Sequence, residues 1–322
     1  MKPLKNLILF ATVLLISYQA HGQGCSDAGF CTMGAMKPDQ AYNKKVKLKL
    51  RSIELSYYQG QTTLSPVVTV INLDAAVSIT NNLGFQIKVP YQMVSGNFDK
   101  TSGLGDISLA ITQRLIDTEK FDISATIGTK IPSNKSDLKS SGVNRPLSEG
   151  LVLPMYYQTS LGSVDFVAGA SLVSSKWLIA TGVQMALTAN NNTWLADEWL
   201  SPVYPSESYA REYDDANKLK RGADVMLRIE RNFRFSKYSF NVGLLPIFRI
   251  TKDQIVDRDT QEYVKLEGST GMALTALGGF AYNFNINNAV KFTYGQKITV
   301  RDVNPDGLTR DNVLIVAYLF RF

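Results

Sequence analysis

Histidine is almost absent from this chain. The one present, His21, falls in a stretch that reads as a cleavable signal. Lys2 and Lys5 give a positive start, Leu7 to Ile16 form a short apolar core, and Ala20-His21-Gly22 supply small residues at the cut. The mature chain would then contain no histidine. That removes Ser-His triads, histidine general bases and His-ligated zinc or haem in one step. Cysteine is nearly as scarce. Cys25 and Cys31 are close together, and in an oxidising compartment a small disulfide loop is the expected outcome. Met33 and Met36 follow, a set that would suit Cu(I) chemically, yet two thioethers and two thiols in an unpatterned segment give no reason to expect a metal. Gly22-Gln23-Gly24 lacks the aliphatic residue that lipidation of Cys25 needs. Beyond the signal no apolar run approaches the 18 or more residues of a membrane helix. Strong charge of one sign is missing too. Without Lys2 and Lys5 the balance is 32 basic to 28 acidic residues, +4, and no basic tract interleaved with aromatics points to nucleic acid.

What is present is a period of two. Apolar and polar residues alternate from Val46 onward, through Ile71–Ile79, Phe85–Met93, Ile107–Leu115, Phe121–Ile131, Met155–Val173, Trp177–Ala189, Ala223–Phe233, Tyr238–Ile250, Met272–Phe284, Val290–Arg301 and Asn312–Phe322. Alternation over about 10 residues, repeated along a chain, is the signature of a membrane β-barrel. The count is twelve strands if Met155–Val173 is one long strand with a bulge at Gly162-Ser163. Connections alternate in length. Asn81–Gly84, Asp117–Lys120, Ser174–Lys176, Arg234–Lys237 and Asn285–Asn288 are tight. Ser95–Gly105, Ser133–Gly150, Asn190–Arg221, Lys252–Gly268 and Asp302–Arg310 are long and polar. The last strand places Tyr318, Phe320 and the terminal Phe322 on one face, a pattern read by lipid and by the barrel-assembly machinery.

The expected fold is therefore all-β: a transmembrane antiparallel up-and-down barrel of about 12 strands in the cell outer membrane. Residues 1–22 form the signal peptide, 23–45 a periplasmic leader or plug, and 46–322 the barrel. A soluble β-sandwich would not explain outward rows such as Tyr238, Phe240, Val242, Leu244, Phe248 and Ile250.

If apolar rows face lipid, the opposite parity lines the lumen. It holds Lys47, Lys49, Arg51, Lys88, Arg114, Lys130, Arg228, Arg249, Lys291, Lys297 and Arg301 against fewer acids: Asp74, Asp106, Asp122, Asp224 and Glu230. Lys291, Lys297 and Arg301 are expected on one face of one strand. Rings of Lys and Arg favour anions; alternatively the charges pair across the barrel and plug it. The longest loop carries Trp194, Trp199, Tyr204, Tyr209 and Tyr213. These aromatics form either a lid for an apolar ligand or an interfacial belt that packs the loop onto the rim, the second being preferred.

Gly103-Leu-Gly-Asp-Ile-Ser-Leu-Ala-Ile-Thr-Gln-Arg-Leu115, then Phe121-Asp-Ile-Ser-Ala-Thr-Ile-Gly-Thr-Lys-Ile-Pro132, with Gln158–Asp165 beyond, resembles the MetA-pathway-of-phenol-degradation family of outer-membrane barrels, distant relatives of the fatty-acid transporters. The match covers about Gly103–Val173, and Pro132 continues into Ser133-Asn134 rather than Thr-Gly. The resemblance implies a barrel of about twelve strands that takes up hydrophobic or aromatic compounds, and it carries no catalytic residues. Gly103-Leu-Gly-Asp106 precedes a strand rather than a helix, so it reads as a turn with positive φ, not a phosphate loop. The expected function is a channel or binding barrel for a small hydrophobic or anionic solute, with no cofactor and no enzymatic role. The alternative is a structural or adhesion barrel acting through its outer loops.

Overall fold

The computed structural model describes residues 32–37, 50–62, 64–200, 203 and 207–322. The signal segment, Cys25 and Cys31 with their expected disulfide, Lys47, Lys49 and Tyr204 lie outside the described residues.

The strands are β1 (Leu50–Gln61), β2 (Val67–Ser78), β3 (Leu83–Ser95), β4 (Lys100–Leu104), β5 (Ile107–Asp117), β6 (Phe121–Ile131), β7 (Asp165–Ser174), β8 (Trp177–Ala186), β9 (Asp224–Arg234), β10 (Tyr238–Arg249), β11 (Gln254–Val256), β12 (Tyr263–Lys265), β13 (Gly271–Asn283), β14 (Asn288–Thr299) and β15 (Asn312–Arg321). Twelve of them close an antiparallel barrel, β1 pairing with both β2 and β15. The other three lie in loops: β4 doubles back on the end of β3, and β11 with β12 makes a hairpin. Closure leaves no edge, so every wall peptide finds its partner inside the wall, the condition a bilayer imposes.

The alternation in sequence becomes an inside and an outside. Along β8 burial switches at every residue, with Trp177, Ile179, Val183 and Met185 turned outward. Slipping one residue would reverse every side chain, and each Lys or Arg moved to the midplane of the outer face would cost about 2–4 kcal/mol. The outward row expected on β10 is in place, from Tyr238 to Phe248. It stacks on its neighbours near the tight-turn end, Phe240 with Phe280 at 5.1 Å and Tyr238 with Tyr282 at 5.1 Å. At the same end Phe320 meets Phe322 edge-on at 4.7 Å. Aromatic side chains concentrate at membrane interfaces in this way. All tight turns share this end with the described start of β1 and the end of β15, and the long loops occupy the other.

Four expectations need correction. Met155–Val173 is not one strand. Met155–Tyr157 is a single 3-10 turn, and β7 begins only at Asp165. From Val152 to Leu161 residues of both parities are buried, so this stretch enters the lumen instead of forming wall. The Gln158 side chain replaces ladder partners there, accepting from Leu138 N (2.7 Å) and donating to Leu153 O (2.8 Å). Second, Gly103 is no positive-φ turn. It belongs to β4, where a Cβ would meet the end of the Asn134 side chain. Third, a register shift between Leu50 and Ser52 changes the parity of β1, so Glu54, Ser56 and Tyr58 face inward. Fourth, a shift in the β13–β14 register, where Leu274 pairs with Thr299 and Thr275 with Lys297, breaks the face expected to join Lys291, Lys297 and Arg301; Arg301 lies beyond the end of β14.

Candidate functional site

The lumen is the candidate site, and three layers fill it. At the long-loop end the loops fold inward around Phe98, which is fully buried. It meets Trp199 edge-on at 4.6 Å, Tyr213 at 5.0 Å, Trp194 at 5.5 Å and Tyr157 at 5.7 Å. Trp199 donates to Val152 O at 2.8 Å. Trp194 and Trp199 are both 0% exposed. They are neither an open lid nor an interfacial belt but the middle of a packed cap. The reason is area: each large aromatic buries about 150–250 Å², which the inside of the mouth accommodates and a thin rim does not. Hydroxyls hold the cap together. Ser65 Oγ lies 3.2 Å from Tyr157 Oη and 3.4 Å from Tyr213 Oη, and it accepts from Tyr209, whose Oη is 2.8 Å from that of Tyr213. Burial pushes the Tyr157 hydroxyl up to about 12, so it stays a protonated hydrogen-bonding partner.

Beneath the cap is a charged layer. Arg249, at the end of β10, grips Asp224 with two bonds of 2.6 and 2.8 Å, and reaches Asp253 at 2.5 Å and Asp306 at 2.9 Å. Arg301 approaches Asp306 at 3.5 Å and Asp253 at 3.7 Å. Burial alone would raise the Asp306 carboxyl; Arg249, Arg301 and Arg221 overcome that and hold it below the usual range. Asp253 goes the other way, raised by burial and by Asp306 despite Arg249. Gly307, at φ +65°, carries this loop past the backbone of Tyr156, where a Cβ would collide. Arg221 pairs with Asp165, and Lys130 interacts electrostatically with Asp106 and Asp165. Asp106 in turn accepts from Ser160 Oγ (2.5 Å) and Leu161 N (3.1 Å), pinning the inserted loop.

The third layer comes from the leader. Thr32–Lys37 lies inside the barrel against β5 to β8. Met33 and Met36 fill an apolar side of the wall made by Val167, Val173, Leu178, Met226 and Leu245. Gly128 and Gly169 leave the room: a Cβ at either would strike Met33 Cε or Met36 Sδ. Thr126 Oγ1 accepts from Ala35 N at 2.8 Å, and Gln86 Oε1 from Gly34 N at 2.6 Å. Lys37 Nζ lies 2.7 Å from Asp74 and 3.1 Å from Glu54. Lys88 donates to Thr32 Oγ1 at 3.2 Å. Beside the leader is a cavity of about 60 Å³ bordered by Glu54, Asp74, Lys88 and Lys291.

Of the basic residues expected in the lumen, Arg51 is exposed, and most of the other described ones are inward. Lys88, Lys130, Arg228, Arg249, Lys297 and Arg301 are buried. Most have carboxylate partners: Arg228 Nε bonds Glu230 at 2.6 Å, Lys297 bonds Asp311 at 2.6 Å, and Lys291 lies 3.4 Å from Glu54. Arg249 and Arg301 meet through shared acids, and Lys88 and Lys291 border one cavity. Arg114 stands apart, at the tight-turn end with Asp117 at 3.1 Å. Strand parity missed Glu54, Asp253, Asp306 and Asp311, because loops and a register shift bring them in. Among the described residues no group of three or more His, Cys, Asp or Glu is arranged to hold a metal.

No family model and no curated protein matches the chain, so the resemblance over 103–173 stands on its quoted residues alone. Solved structures with a similar course include the KdgM porin, at 9% identity over 84% of this chain and 99% of that one, TM-score 0.43. The NanC porin shares 8% identity over 85% of this chain and all of that one, TM-score 0.45. The toluene transporter TbuX of Ralstonia pickettii shares 11% identity over 86% of this chain and 90% of that one, TM-score 0.40. Similarity this low leaves the architecture resting on the barrel's own register: a closed antiparallel barrel of twelve strands, apolar outside and charged within.

Proposed function

We propose that this protein is an outer-membrane barrel through which a small hydrophobic or anionic solute passes, and that its leader and loops hold the lumen shut in the state described. One observation carries the reading. The middle of the lumen is filled by a segment that is not part of the wall, seated on side chains that a solute could use in its place. The apolar patch under Met33 and Met36 suits a hydrophobic solute, as the resemblance to phenol-degradation barrels implies. Lys88 and Lys291 beside it favour an anionic one. The long loops then face the outside and the tight turns the periplasm.

Planar-bilayer recording tests this. The full chain is expected to show little conductance, and a chain lacking 32–37 and carrying Phe98→Ala and Trp199→Ala in the cap to conduct with anion preference. A deletion variant that folds and stays silent would overturn passage. It would favour the second reading, a structural or adhesion barrel, for which the solid aromatic cap is the supporting observation.

A further inference from the structure

We infer that Arg231, laid over Trp177 on the outer face of the barrel, binds the phosphate of an anionic phospholipid in the leaflet at the tight-turn end. The inference rests on the membrane reading of the wall and is independent of solute passage.

Strand parity turns Arg231 outward between Ile229 and Phe233, and the register sets it opposite Trp177 on one side and Val242 on the other. Among the described residues it is the one charged side chain on the outward rows of β8, β9 and β10. Its guanidinium carbon is 4.9 Å from the centre of the Trp177 ring and 5.6 Å from that of Phe233. Stacking of this kind occupies the face of a guanidinium and leaves its N–H edge to other partners. Among the described residues no carboxylate or other acceptor meets that edge. Glu230, the acid beside it in sequence, turns inward to Arg228 and Asn241. The wall thus holds a cation on an apolar face and supplies no counter-ion for it.

Depth says where the counter-ion comes from. Arg231 is three residues from the end of β9, about 10 Å along the strand. A lipid-facing arginine costs most at the midplane and least near the interface, and its long stem carries the charge further toward the headgroups. One layer toward the midplane, Ile179, Ile229 and Leu244 stand side by side and exposed, a surface for acyl chains. One layer toward the turns, Phe233 and Phe240 pair in the aromatic belt. The tight turns flanking the patch, 174–176 and 234–237, add Lys176, Arg234 and Lys237, all exposed, and no acid. A guanidinium edge takes a phosphate through two parallel N–H bonds. The basic surroundings favour a lipid of net negative charge over a zwitterionic one. Free phosphate would leave the apolar layer uncovered, and a soluble acidic partner would meet the turns, whereas Arg231 is in the wall.

The test uses the full chain reconstituted in bilayers of phosphatidylcholine mixed with phosphatidylglycerol, one of the two brominated on its acyl chains. Bromine quenches only the tryptophan it reaches. Of the three tryptophans, Trp177 is exposed on the outer face, whereas Trp194 and Trp199 are 0% exposed. Phosphatidylglycerol is expected to be preferred over phosphatidylcholine at Trp177 by roughly fivefold, the worth of about one cation near a membrane surface. Arg231→Gln should abolish most of that preference, and Lys176→Gln with Lys237→Gln should leave most of it. Equal quenching by the two lipids in the wild-type protein, or a preference unchanged in Arg231→Gln, overturns the site. A preference that follows Lys176 and Lys237 instead assigns the attraction to diffuse turn charge and overturns it too. Exchanging chloride for inorganic phosphate at equal ionic strength should change nothing; loss of the preference there would assign the arginine to free phosphate and overturn the lipid. Quenching by brominated phosphatidylcholine in both proteins keeps this face in lipid whatever becomes of the site. Protein that neither lipid quenches removes the membrane reading and the site together.

Discussion

Arg249 holds three carboxylates at once, and both its reach and its isolation matter. Asp224 belongs to the wall, whereas Asp253 and Asp306 arrive from separate loops, so one guanidinium ties two loops to the rim. Removing it would leave Asp306 and Asp253 to Arg301, at 3.5 and 3.7 Å, with Arg221 acting on Asp306 through its charge. Arg249→Ala is therefore expected to cost about 3–5 kcal/mol, read from urea unfolding in detergent. Arg249→Lys should recover little, because an ammonium cannot reproduce the two-pronged grip on Asp224. The same cluster sets a pH dependence. The folded pKa of Asp306 lies below its unfolded value, which is about 3.9. Its contribution is complete above that value and disappears as the pH falls through the folded pKa. The hydrogen-exchange protection factor of Leu308, whose amide donates to Asp306 at 3.1 Å, should fall on acidification below about pH 4. Unchanged protection there would mean that the arginines do not stabilise the carboxylate.

At the level of elements, the wall and its filling have different origins. The wall is a ladder whose register leaves each strand little freedom. The cap is an aromatic cluster assembled from four loops, with Phe98 at its centre and Trp199 anchored to Val152. Trp199→Ala should cost about 3–5 kcal/mol in cap packing, through the cavity it leaves. The barrel should survive it. The expected signature is rapid proteolytic nicking between residues 187 and 223 in protein that still migrates as a folded barrel. Loss of the folded band itself would show that cap and wall unfold as one unit. The leader is a third element, held by two methionines and a few polar contacts, so its release should not threaten the wall either.

For the whole molecule, the seam between β15 and β1 closes the wall. Phe322 donates its N–H to Arg51 O at 3.2 Å and stacks on Phe320, so the last residue takes part in the seam between β15 and β1. The outward apolar band and this seam lead to a specific expectation: the protein fractionates with the outer membrane and is heat-modifiable on gels, and deleting Phe322 lowers the yield of the folded form severalfold. Recovery of the intact protein in the soluble periplasmic fraction would defeat the membrane reading at once.

The sequence by itself determined the wall. Alternation with a period of two, tight turns at one end and long loops at the other define twelve strands and, β1 apart, their faces, because an apolar outer face and a charged interior penalise a slipped register. It also determined that Lys88, Lys130, Arg228, Arg249 and Lys297 point inward, since parity within one strand is a local property. Only the tertiary structure decided what fills the lumen. The stretch from Met155 to Leu161 alternates well enough to pass for wall, yet Leu138, bonded through Gln158, and Asp106, both outside it, draw it inside. One register shift puts Glu54 opposite Asp74. Met33 and Met36 sit in an unpatterned segment, and it is Gly128 and Gly169, far along the chain, that open the space that receives them. Pairing partners brought together across a closed barrel follow from closure, and closure is not a feature of any one segment.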